Sequence, residues 1–284
     1  MKLYYANKYH SYASFNNFGD CLNELVWNTI LPGIFSEGDS DIAFIGFGTL
    51  LNGHLPKFRK TIIFGTGYGY GRAPRIDKSW HIYCVRGPIT AKALNIPFEL
   101  GIADSSILVR KLINYSISKR HKVSLIPHVF EMHEKPDVFN KAAQNLGWFC
   151  IDPRWSVDKI LNEIASTELI VTSAMHGAII ADAFRVQWVP IKSNAGIPNI
   201  KWQDFFASMC IKFKFPRLYR FSSVFNKIPN STNIEAAYLS SRLNELVKAQ
   251  LPFLSNDNLL NHKITQLEER IGQFKIDFAT GLFD

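Results

Sequence analysis

The stretch Thr172-Ser173-Ala174-Met175-His176-Gly177 places a histidine just beyond a short apolar run, Leu169-Ile170-Val171. The run reads as a buried strand, and Ile179, Ala183 and Val186 follow it at helical spacing. Thr172 and Ser173 are of the types that cap a helix start. His176 therefore falls in a first helical turn, where free backbone N–H groups and the positive end of the helix dipole meet whatever occupies the crevice. An imidazole there handles a phosphate or donates a proton; the alternative is a histidine satisfied by a backbone carbonyl.

A second such turn lies earlier. Trp80 to Val85 reads as a strand, and Arg86-Gly87-Pro88 leads into a helix over Ile89 to Leu94, with Pro88 near its first position. A guanidinium at a strand's carboxyl end suits bidentate binding of phosphate or carboxylate, the other reading being a surface ion pair. His128 ends the predicted strand Val123 to His128. Its neighbours Glu131, His133 and Glu134 lack the spacing of a helical zinc motif. Asn17-Phe18-Gly19-Asp20 opens a helix marked by Leu22, Leu25, Val26 and Ile30. Backbone amides can meet an anion there as well, with Asp20 read first as a cap. Glycines 65, 67, 69 and 71 leave a bare backbone that a ligand can approach. Their spacing is not a dinucleotide fingerprint, and a purely structural loop is the alternative.

The elements that must position these residues alternate. Strands are predicted at Leu3 to Ala6, Ile42 to Ile45, Thr61 to Phe64, Trp80 to Val85 and Phe98 to Leu100. After a polar, basic stretch over 110–122, strands recur at Val123 to His128, Trp148 to Ile151, Leu169 to Val171 and Trp188 to Ile191, with helices between them. Strand and helix in alternation mean parallel sheets. The expected fold class is α/β: two Rossmann-like domains facing a cleft, 1–115 and 116–210, followed by 211–284 with C-terminal helices at 232–253 and 256–278.

The composition agrees. Of 284 residues, 47% are hydrophobic, enough for sizeable cores, and the net charge of +8 favours anionic partners. Cys21, Cys84, Cys150 and Cys210 are scattered, which suits a reducing cytoplasm. The N-terminus lacks the apolar core of a signal peptide, and no run is long enough for a membrane span. Ile211 to Lys227 interleaves five basic residues with aromatics and contains no acid. It can lie on an anionic membrane surface, bind a lipid-linked pyrophosphate, stack nucleic-acid bases, or simply connect elements with its aromatics packed inward.

Taken in order, these pieces resemble the polysaccharide pyruvyl transferase family, in its branch of succinoglycan-type ketal pyruvyl transferases. The resemblance rests on Asn17-Phe18-Gly19-Asp20-x-Leu22-Asn23, Gly65-Thr66-Gly67, Val85-Arg86-Gly87-Pro88-x-Thr90, Pro127-His128, and the block from Ile151-Asp152-Pro153-Arg154 to Ser173-Ala174-Met175-His176-Gly177-Ala178. It continues through Ala181 to Trp188 and Lys201-Trp202-x-Asp204, covering roughly residues 1–210. It implies a glycosyltransferase-B-like architecture, phosphoenolpyruvate as donor, no cofactor and no metal. The implied acceptor is a sugar with two hydroxyls, in a surface-polysaccharide precursor that is lipid-linked. His176 maps onto the family's histidine and Arg86 onto its donor-binding arginine, with His128 as a further acid or base at the cleft. Asn17, Asp20, Gly67, Ser173, Met175 and Gly177 are the expected substrate-binding positions. Many relatives carry arginine where this chain has Met175, so Arg154 or Lys192 is expected to substitute. The expected setting is a cytoplasmic protein able to sit at the inner face of the cell membrane through 211–227, with no nucleic acid as partner. A nucleotide-sugar glycosyltransferase and a non-catalytic binding module are the alternatives.

Overall fold

The fold is taken from a computed structural model, which describes residues 1–6, 15–36, 38, 40–113, 118–192, 199–212 and 231–284. The domain boundary expected near 115 and most of the basic, aromatic segment lie outside the described residues.

The architecture is mixed α/β, with two four-stranded parallel sheets and C-terminal helices. The first sheet runs β1 (Lys2–Leu3), β2 (Ile42–Ile45), β3 (Lys60–Phe64), β4 (Trp80–Cys84), paired in chain order. Helices α1 (Phe18–Ile30) and α2 (Pro88–Leu94) belong to this half, and a short α3 (Val109–Leu112) follows. The predicted strand at 98–100 is instead a single 3-10 turn, Phe98–Leu100, and only Gly101 bridges to Val85. Pro97 and Gly101 flank too few residues for an extended run to pair.

The second sheet contains β5 (His121–Ile126), β6 (Phe149–Cys150), β7 (Thr167–Thr172) and β8 (Gln187–Pro190), in the order β6-β5-β7-β8. Between them lie α4 (Val129–Glu134), α5 (Pro136–Asn145), α6 (Val157–Ala165) and α7 (Met175–Ala183). Then come α8 (Asn199–Ser208), α9 (Thr232–Ala249) and α10 (Asp257–Ala279). The strand interiors are near-continuous apolar runs, such as Ile62-Ile63-Phe64 and Ile170-Val171, because both sheet faces are covered.

α7 is a buried helix rather than the amphipathic one its spacing suggests: Met175 and every residue from Gly177 to Ala183 are buried. Even Asp182 is enclosed, and it accepts hydrogen bonds from Trp188 Nε1 at 3.0 Å and from Ser255 N at 2.8 Å. One apolar cluster runs from Trp27, Phe44 and Phe64 through Ile179 and Ile180 to Ile170 and Trp188. The stripe of α10 (Leu260, Ile264, Leu267, Ile271, Phe274) joins that cluster, whereas Ala236, Leu239, Leu243 and Leu246 of α9 pack with Phe139 and Val171. The two C-terminal helices thus serve different sheets. Among the described residues, no helix is long and apolar enough to cross a membrane.

Candidate active site

A cavity of about 440 Å³ opens where the carboxyl ends of both sheets meet. The crevice beyond strand carboxyl ends is where open α/β sheets bind ligands, and the volume suits a small molecule. Gly48, Thr49 and Leu50 after β2, and Tyr70 after β3, line it from the first half; His128, Ala174, Met175 and His176 line it from the second.

The helix start at His176 is built by its strand. Thr172 Oγ1 donates to Ile126 O at 2.9 Å and accepts from Ala174 N at 2.9 Å, which turns the chain sharply at the sheet edge. The expected capping by Thr172 or Ser173 does not occur. The N-cap is Ala174, which has no side chain able to cap, so the α7 terminus carries no side-chain cap and faces the cavity. Ser173 is buried; its Oγ donates to Glu131 Oε2 at 2.6 Å and accepts from His128 N at 2.7 Å. It ties two cavity segments together and is not itself among the lining residues. Gly177 is a packing position, since a Cβ there would lie 2.7 Å from Thr172 Oγ1.

The His176 ring packs edge-on against Phe47, with ring centroids 5.8 Å apart. A Cβ at Gly19 would collide with the imidazole, so this glycine makes room for it. Nε2 of His176 lies 3.8 Å from Asp104 Oδ2, beyond hydrogen-bond reach, and neither atom has a hydrogen-bond partner. Asp104 is fully buried. Burial alone raises its carboxyl, but the neighbouring His176, the hydrogen bond from Ser106 and the charge of Arg86 bring it below the ordinary carboxylate range. It is therefore an anion behind the imidazole.

His128 lines the same cavity and caps α4. Its Nδ1 accepts from Phe130 N at 3.4 Å, which leaves the proton of the neutral ring on Nε2. Burial first, then the charges of Lys201 and His176, push it down to about 3. At neutral pH it is an uncharged hydrogen-bond donor at the cavity wall. Asn17 caps α1 by accepting from Gly19 N at 3.3 Å, and its Nδ2 donates to Asp20 Oδ2 at 2.9 Å. Both side chains line the cavity. Asp20 is not the cap itself, because it sits inside the first turn.

Arg86 departs furthest from expectation. It is 0% exposed and does not line the cavity. Nε donates to Asp204 Oδ2 at 3.2 Å, one terminal nitrogen donates to Gly48 O at 3.2 Å and Thr49 Oγ1 at 3.0 Å, and the other to Tyr68 O at 2.5 Å. Asp204 also accepts from the N–H groups of Ile89 (2.9 Å) and Thr90 (3.1 Å), filling the α2 terminus. The guanidinium is a buried strut beneath the cavity. Gly67 serves it, since a Cβ there would strike the guanidinium. Arg154 lies outside the lining residues as well, closed onto Asp152 in a two-pronged ion pair, and Lys192 reaches Asn199 at 2.5 Å.

Lys201, in the first turn of α8, is the lysine that lines the cavity. Its position in sequence gave no hint of burial; only the fold brings it in. Burial and the charge of Arg86 lower its ammonium to about 8, against the opposing pull of Asp20 and Glu131. Tyr70 lies nearby, with its hydroxyl raised by burial and Asp20. Phe15 and Phe130 form an aromatic edge contact at the lining, with centroids 6.0 Å apart. Among the described residues, no group of three or more His, Cys, Asp or Glu is placed to hold a metal ion.

Two comparisons bear on this site. Residues 2–194 match the family model described as polysaccharide pyruvyl transferase. The chain is also 35% identical over 246 residues to the succinoglycan biosynthesis protein ExoV of Rhizobium meliloti (strain 1021), covering 85% of this chain and 72% of that protein.

Proposed function

The chain belongs to the polysaccharide pyruvyl transferase family and is an enzyme of that kind; from that premise we propose that it moves the enolpyruvyl group of phosphoenolpyruvate onto two hydroxyls of one sugar, releasing phosphate and leaving a cyclic ketal. The observation that carries this reading is the open α7 terminus with His176, set in a cavity shared by the carboxyl ends of both sheets. A small, doubly anionic enol ester matches the cationic and N–H-donating groups gathered there.

His176 is the acid in this reading. Its proton goes to the methylene carbon of the donor, C2 becomes cationic, and one sugar hydroxyl attacks C2 and loses its proton. The first hydroxyl's proton returns to His176, the C2–O bond to phosphate breaks, and the second hydroxyl attacks C2 to close the ring, its proton leaving with the phosphate. A positioned acid contributes about 10²–10⁴-fold in rate. The Asp104 carboxylate backs the imidazole, and the neutral His128 donates a hydrogen bond to an anionic oxygen. Arg86 acts from beneath, by its field and by fixing α8, rather than by contact. Asn17 and Asp20 face the acceptor, which we take to be a lipid-linked sugar of a surface-polysaccharide precursor. The two sheets are proposed to be the cores of two Rossmann-like, glycosyltransferase-B-like halves divided near residue 115. The proposed setting is the cytoplasm, at the inner face of the membrane.

The test is incubation with phosphoenolpyruvate and a panel of lipid-linked and synthetic galactosides, glucosides and mannosides. Acceptor-dependent phosphate release, with a new pyruvate methyl signal on the sugar, is the expected result. Turnover of a nucleotide sugar with no reaction of phosphoenolpyruvate would replace this reading with glycosyl transfer.

A further inference from the structure

The cavity needs a fixed cation to hold an anionic ligand, and the residues expected to supply one do not. Met175 presents an apolar side chain, Arg154 is closed onto Asp152, Lys192 lies outside the lining, and Arg86 is consumed by Asp204. Lys201 remains. It is 6% exposed and lines the cavity, yet its ammonium makes no hydrogen bond or ion pair among the described residues. Its nearest aromatic face, Tyr70, is 5.9 Å away. The carboxylates that attract it have other partners: Asp20 accepts from the Asn17 amide, and Glu131 accepts from Ser173 and from His128 N. An ammonium held in a largely enclosed cavity without a partner is costly, and the cost is relieved when an anion arrives. The placement is also firm. Asp204, one turn further along α8, is bonded to Arg86 and to the start of α2, so the helix that carries Lys201 is held by a buried ion pair.

We propose that Lys201 is the cation that holds the phosphate of the donor, sharing that group with His176 and the open start of α7. An ammonium suits a phosphate as a compact point charge. The inference rests on the donor being phosphoenolpyruvate, but it is testable apart from that reading.

The experiment is calorimetric titration of the full chain, and of its Lys201→Met and Lys201→Gln variants, with phosphoenolpyruvate and separately with inorganic phosphate. Thermal unfolding is followed in parallel. Both variants are expected to lose about 10- to 100-fold in affinity, the range of one charged hydrogen bond. Their Tm should hold or rise, since an unpaired buried charge has been removed. Affinity for both ligands unchanged in either folded variant overturns the proposal, as does a wild-type chain that binds neither ligand. If the wild type binds inorganic phosphate but not phosphoenolpyruvate, the donor reading fails. Lys201 then stands or falls on whether phosphate binding is lost in the variants.

Discussion

The turn from β4 to α2 and the turn from β7 to α7 share one local plan. In each, a buried strand ends at the sheet edge, a basic residue follows, and a helix begins. Their fates are opposite. At the first, Asp204 reaches in from α8, takes the Arg86 guanidinium and fills the helix start through Ile89 N and Thr90 N. At the second, the cap is an alanine, no side chain caps the helix start among the described residues, and His176 faces a cavity with Asp104 behind its ring. A helix start attracts an anion in either case. The difference is whether the chain supplies that anion or leaves the place for a ligand. One turn is therefore closed by the fold, and the other, in the proposed reading, is left for the donor.

Altering the open turn should give the largest effect. His176→Ala is expected to lower kcat by about 10²–10⁴-fold in the phosphate-release assay, with the thermal transition nearly unmoved. A variant with full turnover would remove the distinction between the turns. The closed turn should answer with stability. Asp204→Ala leaves Arg86 buried and unpaired, and should cost about 3–5 kcal/mol in urea unfolding. A near-neutral result would mean that Arg86 is not held there for architecture.

A finer probe is Gly19→Ala. Alanine favours a helix over glycine by about 1 kcal/mol, yet here its Cβ would strike the His176 ring. Displacing the imidazole by about 1 Å should cost on the order of 10²-fold in kcat. Wild-type kinetics would show that the ring position is not critical. A further probe is pH dependence. His128 is held neutral in the fold down to about 3, while in the unfolded chain it protonates near the ordinary histidine value. Below that ordinary value the unfolded state binds the extra proton, so stability should be lost as pH falls from about 6.5 towards 3. His128→Gln should flatten that part of the urea-unfolding profile; an unchanged slope would assign it to other groups.

Much of the fold was legible, because strands covered on both faces are written as unbroken apolar runs. Ile62-Ile63-Phe64 and Ile170-Val171 could be placed directly, and so could the helices with regular stripes near the C-terminus. Phe98 to Leu100 misled, since a few apolar residues read alike as strand or turn until a partner strand is known. At the site, His176 was legible because its place follows from a strand and helix adjacent in sequence. The burial of Arg86 was not, because its partner Asp204 lies 118 residues further along. Nor was Lys201, which sits in an unremarkable first turn, or the pairing of Asp104 with His176.

The amino-acid order alone determined the alternation of strands and helices, their parallel pairing, and the positions where helix starts meet sheet edges. All of these follow from hydrophobic period and turn chemistry within a dozen residues. Tertiary structure alone decided which helix start is closed and which stays open, and which buried cation lacks a partner. Those outcomes depend on carboxylates brought from distant segments, and electrostatic pairing acts through space rather than along the chain.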